Sequence, residues 1–198
     1  MDPEPLRLYI VRHGETDYNL NGFFQGTSDI PLNKNGIAQA EQIADTLSGI
    51  QFTAAFHSPL IRAKTTCEAI LRGRLTSQAD ARLTEVYFGL WEGMHRDEIR
   101  QRWPEQFENY YSSIGDFIPP EGETLPDARD RVCGFYEELM ERHMQGDLLI
   151  VGHQFINALL CTCIMGQEIA QAWDYRAKPG DIFIFENDGE SICCTRMG

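Results

Sequence analysis

The chain has 198 residues, 42% of them apolar and 24% charged, with a formal net charge of -13. That length suits one domain with a substantial core. The acidic balance argues against nucleic acid and anionic membrane as partners, although a local cluster of arginine and histidine can still hold a small phosphorylated molecule.

The start, Met1-Asp2-Pro3-Glu4-Pro5, is acidic and lacks the character of a secretory signal. No apolar run approaches the roughly 20 residues of a membrane helix. Leu6 to Val11 reads as a buried strand, followed by a polar loop from Gly14 to Leu32. A helix is expected from about Asn33, with Ile37, Ala40, Ala44 and Leu47 on its apolar face and Gly49 at its end. Thr53 to His57 is a second short strand. Ser58-Pro59 reads as an N-cap with proline at the first helical position, and Ile61, Thr65, Ala69 and Ile70 carry the helix that follows.

The middle of the chain is less regular and rich in aromatics: Tyr87, Phe88, Trp91, Trp103, Phe107, Tyr110, Tyr111 and Phe117. A long helix is expected over 125–143, with Leu125, Ala128, Val132, Phe135 and Leu139 on one stripe. Leu148 to Val151 is a strongly apolar strand leading into Gly152-His153, and Phe155 to Ile164 reads as a helix. Asp181 to Phe185 and Ser191 to Cys194 form a hairpin around Asn187-Asp188-Gly189. The pattern predicts an α/β fold of three layers, α/β/α, with a mostly parallel central sheet, in a single domain spanning 1–198. Residues 100–122 are expected to make an excursion that caps a pocket, its aromatics either walling a ligand or forming a small satellite core.

The six cysteines, Cys67, Cys133, Cys161, Cys163, Cys193 and Cys194, are too sparse for a disulfide-built scaffold and lie mostly in apolar runs. They read as free, buried thiols in a reducing compartment, consistent with a cytoplasmic location. Their spacing is not that of a zinc site, so no metal and no cofactor is expected.

Two strands deliver histidines at their ends: Arg12-His13-Gly14 follows the first, Gly152-His153 the later one. If both strands lie in one parallel sheet, the two imidazoles meet over the same edge, where α/β sheets build their sites. One neutral imidazole can attack phosphorus while the other donates hydrogen bonds to phosphoryl oxygens. Arginine suits those oxygens best, and Arg12 and Arg62 are the candidates. A carboxylic acid with a raised pKa would protonate the leaving oxygen. Glu85 and Glu92 both sit beside aromatics, and local spacing does not choose between them.

Four blocks in order carry a resemblance. They are Val11-Arg12-His13-Gly14-Glu15-Thr16 with Asn19, extended by Gln25-Gly26, Asp29, Pro31-Leu32, Gly36 and Gln39-Ala40; Ser58-Pro59-Leu60-Ile61-Arg62-Ala63 with Thr65-Thr66; Leu83-Thr84-Glu85 through Gly89-Leu90-Trp91-Glu92-Gly93; and Val151-Gly152-His153. Over nearly its whole length the chain resembles the histidine phosphatase superfamily, also called phosphoglycerate-mutase-like, and within it the small cofactor-independent phosphatases. The resemblance implies a phosphoglycerate-mutase-like fold and a metal-independent phosphomonoesterase acting on a small phosphorylated metabolite. It implies His13 as the nucleophile that forms a phosphohistidine, Arg12, Arg62 and His153 gripping the phosphoryl group, and Glu85 as the proton donor. Asn19, Gln25, Gly26 and Gln154 would complete the phosphate pocket, and a homodimer is a family-level expectation. Two positions depart from the pattern. Gln154 follows His153 where glycine is common, and Gly152 precedes it where serine is usual, which implies a lost hydroxyl.

Mutases of this kind are usually longer, with a tail that closes over the site; here 45 residues follow His153, mostly helix and hairpin in pattern. Net hydrolysis is therefore expected, against phosphoglycerate-mutase-type transfer or a non-catalytic phosphate-binding module. A block-three stretch of Glu85-Val86-Tyr87-Phe88-Gly89 argues mildly against phosphoserine as substrate, and the scarcity of further basic residues against multiply phosphorylated ones. Arg96 or Arg100 remains available for a distal carboxylate.

Overall fold

The computed structural model describes residues 5–112, 117–187, 189 and 191–197. Residues 1–4, residues 113–116 of the expected excursion, and Asp188 of the hairpin turn lie outside them. The strands are β1 (Leu6–Arg12), β2 (Phe52–His57), β3 (Gln78–Ala79), β4 (Gly146–Gly152), β5 (Ile182–Asn187) and β6 (Ile192–Met197). They form one sheet in the order β3-β2-β4-β1-β5-β6. The first four are mutually parallel, and β5 and β6 add an antiparallel hairpin beside β1. The helices are α1 (Asp17–Asn21), α2 (Lys34–Thr46), α3 (Ile61–Leu71), α4 (Arg96–Arg102), α5 (Pro104–Ser112), α6 (Leu125–Arg142) and α7 (Gln154–Ile164).

Successive side chains of a strand point to opposite faces, so a strand covered on both sides must be apolar throughout. β1 and β4 obey this rule. Leu8, Ile10, Leu148 and Ile150 enter the core shared with α6 and α7, while Tyr9, Val11, Leu149 and Val151 enter the core shared with α2 and α3. These two cores are the interfaces of a three-layer α/β/α sandwich. In α6 the predicted stripe of Leu125, Ala128, Val132, Phe135 and Leu139 is buried, and Thr124 caps the helix by accepting from Asp127 N–H. Asn33 does the same for α2 through Gly36 N–H. Among the described residues no helix is long and apolar enough to cross a membrane.

Several expectations need correction. Ile37 is 51% exposed, and the buried face of α2 is made by Gly36, Ala40, Ile43 and Ala44. The cap of α3 is not Ser58-Pro59. That helix starts at Ile61, and its first amide donates to the carboxylate of Asp29 at 2.7 Å, a cap supplied from 32 residues away. Ser58 instead donates its N–H to Val151 O and accepts from Leu60 N–H. On α3 the buried face is Arg62, Ala63, Thr66, Cys67, Ile70 and Leu71; Ile61 is exposed.

The cysteines are not all free and buried. Cys133 on α6 and Cys163 on α7 form a disulfide across the packed helix pair, with Cα atoms 5.7 Å apart. Cys193 and Cys194 are exposed on the edge strand β6, which leaves Cys67 and Cys161 as buried thiols. The inference of a reducing compartment from free cysteines therefore loses its basis. The aromatic segment is no satellite either. Trp91, Phe107, Tyr110 and Phe117 are buried and continuous with the core around Phe155 and α6.

Candidate active site

The register sets the site. Arg12 pairs with Gly152 on neighbouring parallel strands, and His13 N–H donates to Gly152 O at 3.1 Å. The two histidine-bearing strand ends therefore leave the sheet side by side, with the ring centroids of His13 and His153 5.0 Å apart. Both rings are buried. Chain direction into the next helix is fixed by close backbone packing. A Cβ on Gly14 would lie 2.3 Å from Gly36 O, and one on Gly36 would lie 2.0 Å from Glu15 O, so both positions require glycine. Gly14 N–H also donates to the hydroxyl of Thr66.

The two imidazoles are held as opposite tautomers, which follows from what their partners can do. His13 Nδ1 lies 2.7 Å from Gly14 O, an acceptor only, so Nδ1 carries the proton and Nε2 keeps its lone pair. His153 Nδ1 accepts from Arg62 Nε at 3.2 Å, so its proton sits on Nε2. That N–H is buried and without a partner. Burial, reinforced by the positive charges of Arg62 and Arg12, holds the His13 pKa well below the ordinary imidazole range. Burial and Arg62 do the same to His153. Both rings are therefore neutral at neutral pH. The site presents one bare ring nitrogen and one orphaned ring donor.

The arginines are fixed by carbonyls rather than carboxylates. Arg62 is 1% exposed and donates to Ser28 O at 2.6 Å and Gly26 O at 2.7 Å. Burial brings its pKa down to about 10. Arg12 donates to Gln154 Oε1 at 2.8 Å and to Ala177 O at 2.6 Å, and its Nε is buried without a partner. Gln154, expected in the phosphate pocket, lies there and also supports Arg12.

The structure separates the two glutamates. Glu85 is buried and accepts backbone N–H bonds from Val86, Phe155 and Ile156, the last two in the first turn of α7. Burial raises its pKa, against the opposing pull of those amides and Arg62. Glu92 serves the 24–28 loop. Its carboxylate accepts from Thr27 N–H at 2.7 Å, from the Thr27 and Ser28 hydroxyls, and from Phe88 N–H. A Cβ on Gly26 would lie 1.9 Å from Glu92 Oε1, and Gly26 has φ +50°. Glu92 therefore shapes the loop whose carbonyls hold Arg62.

A cavity of about 180 Å³ opens beside His13, and its lining includes Arg12, His13, Asn19, Gln25, Gly26, Arg62, Glu85 and Gln154, whereas the fully buried His153 is not part of that lining. Asn19 Oδ1 accepts from Thr16 N–H and Gln25 Oε1 from the Thr16 hydroxyl, which turns both amide oxygens away and leaves their NH2 groups as donors. Tyr110, Tyr111 and Phe155 form an aromatic wall, and Arg96 lines the same space. Arg100 does not; its guanidinium stacks on Phe107. Thr66 stands in the second sequence block, but its support of Gly14 N–H emerges only in the fold, and nothing local marks Ala177 as a support for Arg12.

Residues 8–198 match the family model described as the histidine phosphatase superfamily, branch 1. The chain belongs to that superfamily. As a histidine phosphatase it is an enzyme of the phosphotransfer and hydrolase type. It is 34% identical over 179 residues to the adenosylcobalamin/alpha-ribazole phosphatase of Escherichia coli (strain K12), covering 88% of this chain and 87% of that protein. It is 33% identical over 154 residues to the 2,3-bisphosphoglycerate-dependent phosphoglycerate mutase of Mesorhizobium japonicum, covering 74% of this chain and 75% of that one. Among solved structures, Bacillus stearothermophilus YhfR superposes with a TM-score of 0.88 at 30% identity, over 95% of this histidine phosphatase and 94% of that chain.

Proposed function

We propose that this histidine phosphatase is a metal-independent phosphomonoesterase that hydrolyses a small phosphorylated metabolite through a phosphohistidine on His13. The observation that carries the reading is the pair of opposed tautomers: a lone pair on His13 Nε2 beside an unsatisfied N–H on His153 Nε2. In the first step His13 Nε2 attacks phosphorus and the ester P–O bond breaks. Protonated Glu85 gives its proton to the departing oxygen. Gly14 O, bonded to His13 Nδ1–H, stabilises the charge the ring acquires. In the second step Glu85, now a carboxylate, takes a proton from water as its oxygen bonds to phosphorus. The N–P bond breaks, and phosphate and neutral His13 are regenerated.

Arg12, Arg62 and the His153 donor would neutralise the equatorial oxygens, the task divalent metals perform in other phosphoryl-transfer sites. Asn19, Gln25, Gly26 and Gln154 would complete the pocket. Net hydrolysis is favoured over mutase-type transfer because the phosphatase relative aligns over 88% of the chain and the mutase over 74%.

Phosphate release from a panel of small phosphomonoesters, measured with EDTA present for wild type and His13→Ala, tests the reading. Turnover lost in the variant supports it. Absence of turnover with every ester, or turnover that survives His13→Ala, refutes it.

A further inference from the structure

Gly152 looks at first like a deletion, a position from which a hydroxyl has been lost. Its surroundings say otherwise. No left-handed backbone angle demands glycine there, yet a Cβ on Gly152 would lie 2.2 Å from Oδ1 of Asn157. The space beside the strand end is filled, and the group that fills it comes from α7.

Asn157 is 2% exposed and touches both strand ends that carry the site. Its Nδ2 donates to Val11 O at 3.0 Å, two residues before His13. Its own N–H donates to His153 O at 3.0 Å. Its Oδ1 lies over Gly152, buried and without a hydrogen-bond partner. Gly152 O in turn accepts from His13 N–H. A polar side chain with an unsatisfied atom among Phe155, Ile156, Ala158 and Leu159 is a poor choice for packing alone. What it gains is a fixed link between two segments that are adjacent in space and far apart in sequence.

We infer that Asn157 is a positioning residue that sets the spacing of the His13 and His153 strand ends, and that Asn157 and Gly152 form a coupled pair in which only one position carries a side chain. The inference rests on the proposed role of the two histidines, and it predicts sign epistasis. Gly152→Ser forces a Cβ against Oδ1, displaces the strand end and lowers kcat at least 30-fold. Asn157→Ala removes the link and lowers kcat about tenfold. In Gly152→Ser/Asn157→Ala the clash is gone, and kcat rises well above that of Gly152→Ser alone. KM for the same ester changes less than kcat throughout, because Arg62 keeps its bonds to Ser28 O and Gly26 O.

The measurements are kcat and KM for one aryl phosphate on the four proteins, alongside imidazole 15N spectra of His13 and His153. Asn157→Asp serves as a fifth protein that keeps the side-chain shape and removes the Nδ2 donor. The spectra read the ring environments whether or not the protein turns over, which separates failure of this pairing from failure of the phosphatase reading. Displaced ring signals in Gly152→Ser and Asn157→Asp that return towards wild type in the double variant support the pair. Wild-type kcat and ring signals in Gly152→Ser overturn it, as does a double variant no better than Gly152→Ser. Should Gly152→Ser not fold, unchanged kcat and ring signals in a folded Asn157→Asp overturn it equally.

Discussion

His13 and His153 are neutral and buried in the folded protein, and that makes their protonation a quantity the stability curve must show. In the unfolded chain each ring titrates near the ordinary imidazole value of 6.5, whereas in the fold burial and the neighbouring arginines keep each well below it. Below pH 6.5 the unfolded chain therefore binds protons that the folded one does not. Stability is fully present above that pH and falls as pH falls towards the folded pKa. Between pH 7.5 and 5.5 the protonation of one such ring in the unfolded chain costs up to about 1.4 kcal/mol. Glu85 has the opposite sign. Its folded pKa lies above 4.5, so it contributes stability as pH drops through that raised value. The clean measurement is a difference: urea unfolding of wild type and His13→Asn at pH 7.5 and 5.5, with m-values compared. The wild type should lose more than the variant over that interval, by up to about 1.4 kcal/mol. Equal losses would refute the assignment of a neutral His13.

Three further outcomes are expected. Glu85→Gln removes the proton donor and should lower kcat for an alkyl phosphate by about 10²- to 10⁴-fold. With p-nitrophenyl phosphate, whose leaving group needs no proton, the same variant should show a burst as phosphoenzyme accumulates; wild-type alkyl turnover would dismiss the role. Glu92→Ala leaves Thr27 N–H and Phe88 N–H without their acceptor and loosens the carbonyls that hold Arg62. About 1–3 kcal/mol of stability should be lost, together with a higher inhibition constant for inorganic phosphate. Gly14→Ala drives a Cβ to 2.3 Å from Gly36 O, backbone against backbone, and should cost about 1–3 kcal/mol, read as a fall in Tm.

The sheet was legible because β1 and β4 are covered on both faces and so announce themselves as unbroken apolar runs. The α6 stripe was legible because one helical face repeats with a fixed period. The site was legible in outline because strand ends bring Arg12-His13 and Gly152-His153 to one edge. What escaped detection depends on partners distant in sequence. Asp29 caps α3 from the far side of a loop, Cys133 meets Cys163 only once α6 and α7 pack, and the burial that distinguishes Glu85 from Glu92 exists only in the fold. The crowding at Gly152 is of the same kind, since the Asn157 side chain that lies against it comes from the following helix.

Arg12 and Gly152 share one rung of the sheet, and the rung closes a loop of 140 residues. Contacts of that separation form late, after helices such as α6 have already formed locally. A slip of one residue between β1 and β4 would also send Leu8 and Ile10 to the wrong core and part the two imidazoles. Returning catalysis is thus a stricter gauge of refolding than returning helical signal, because the chemistry waits on a register-sensitive junction between segments 140 residues apart.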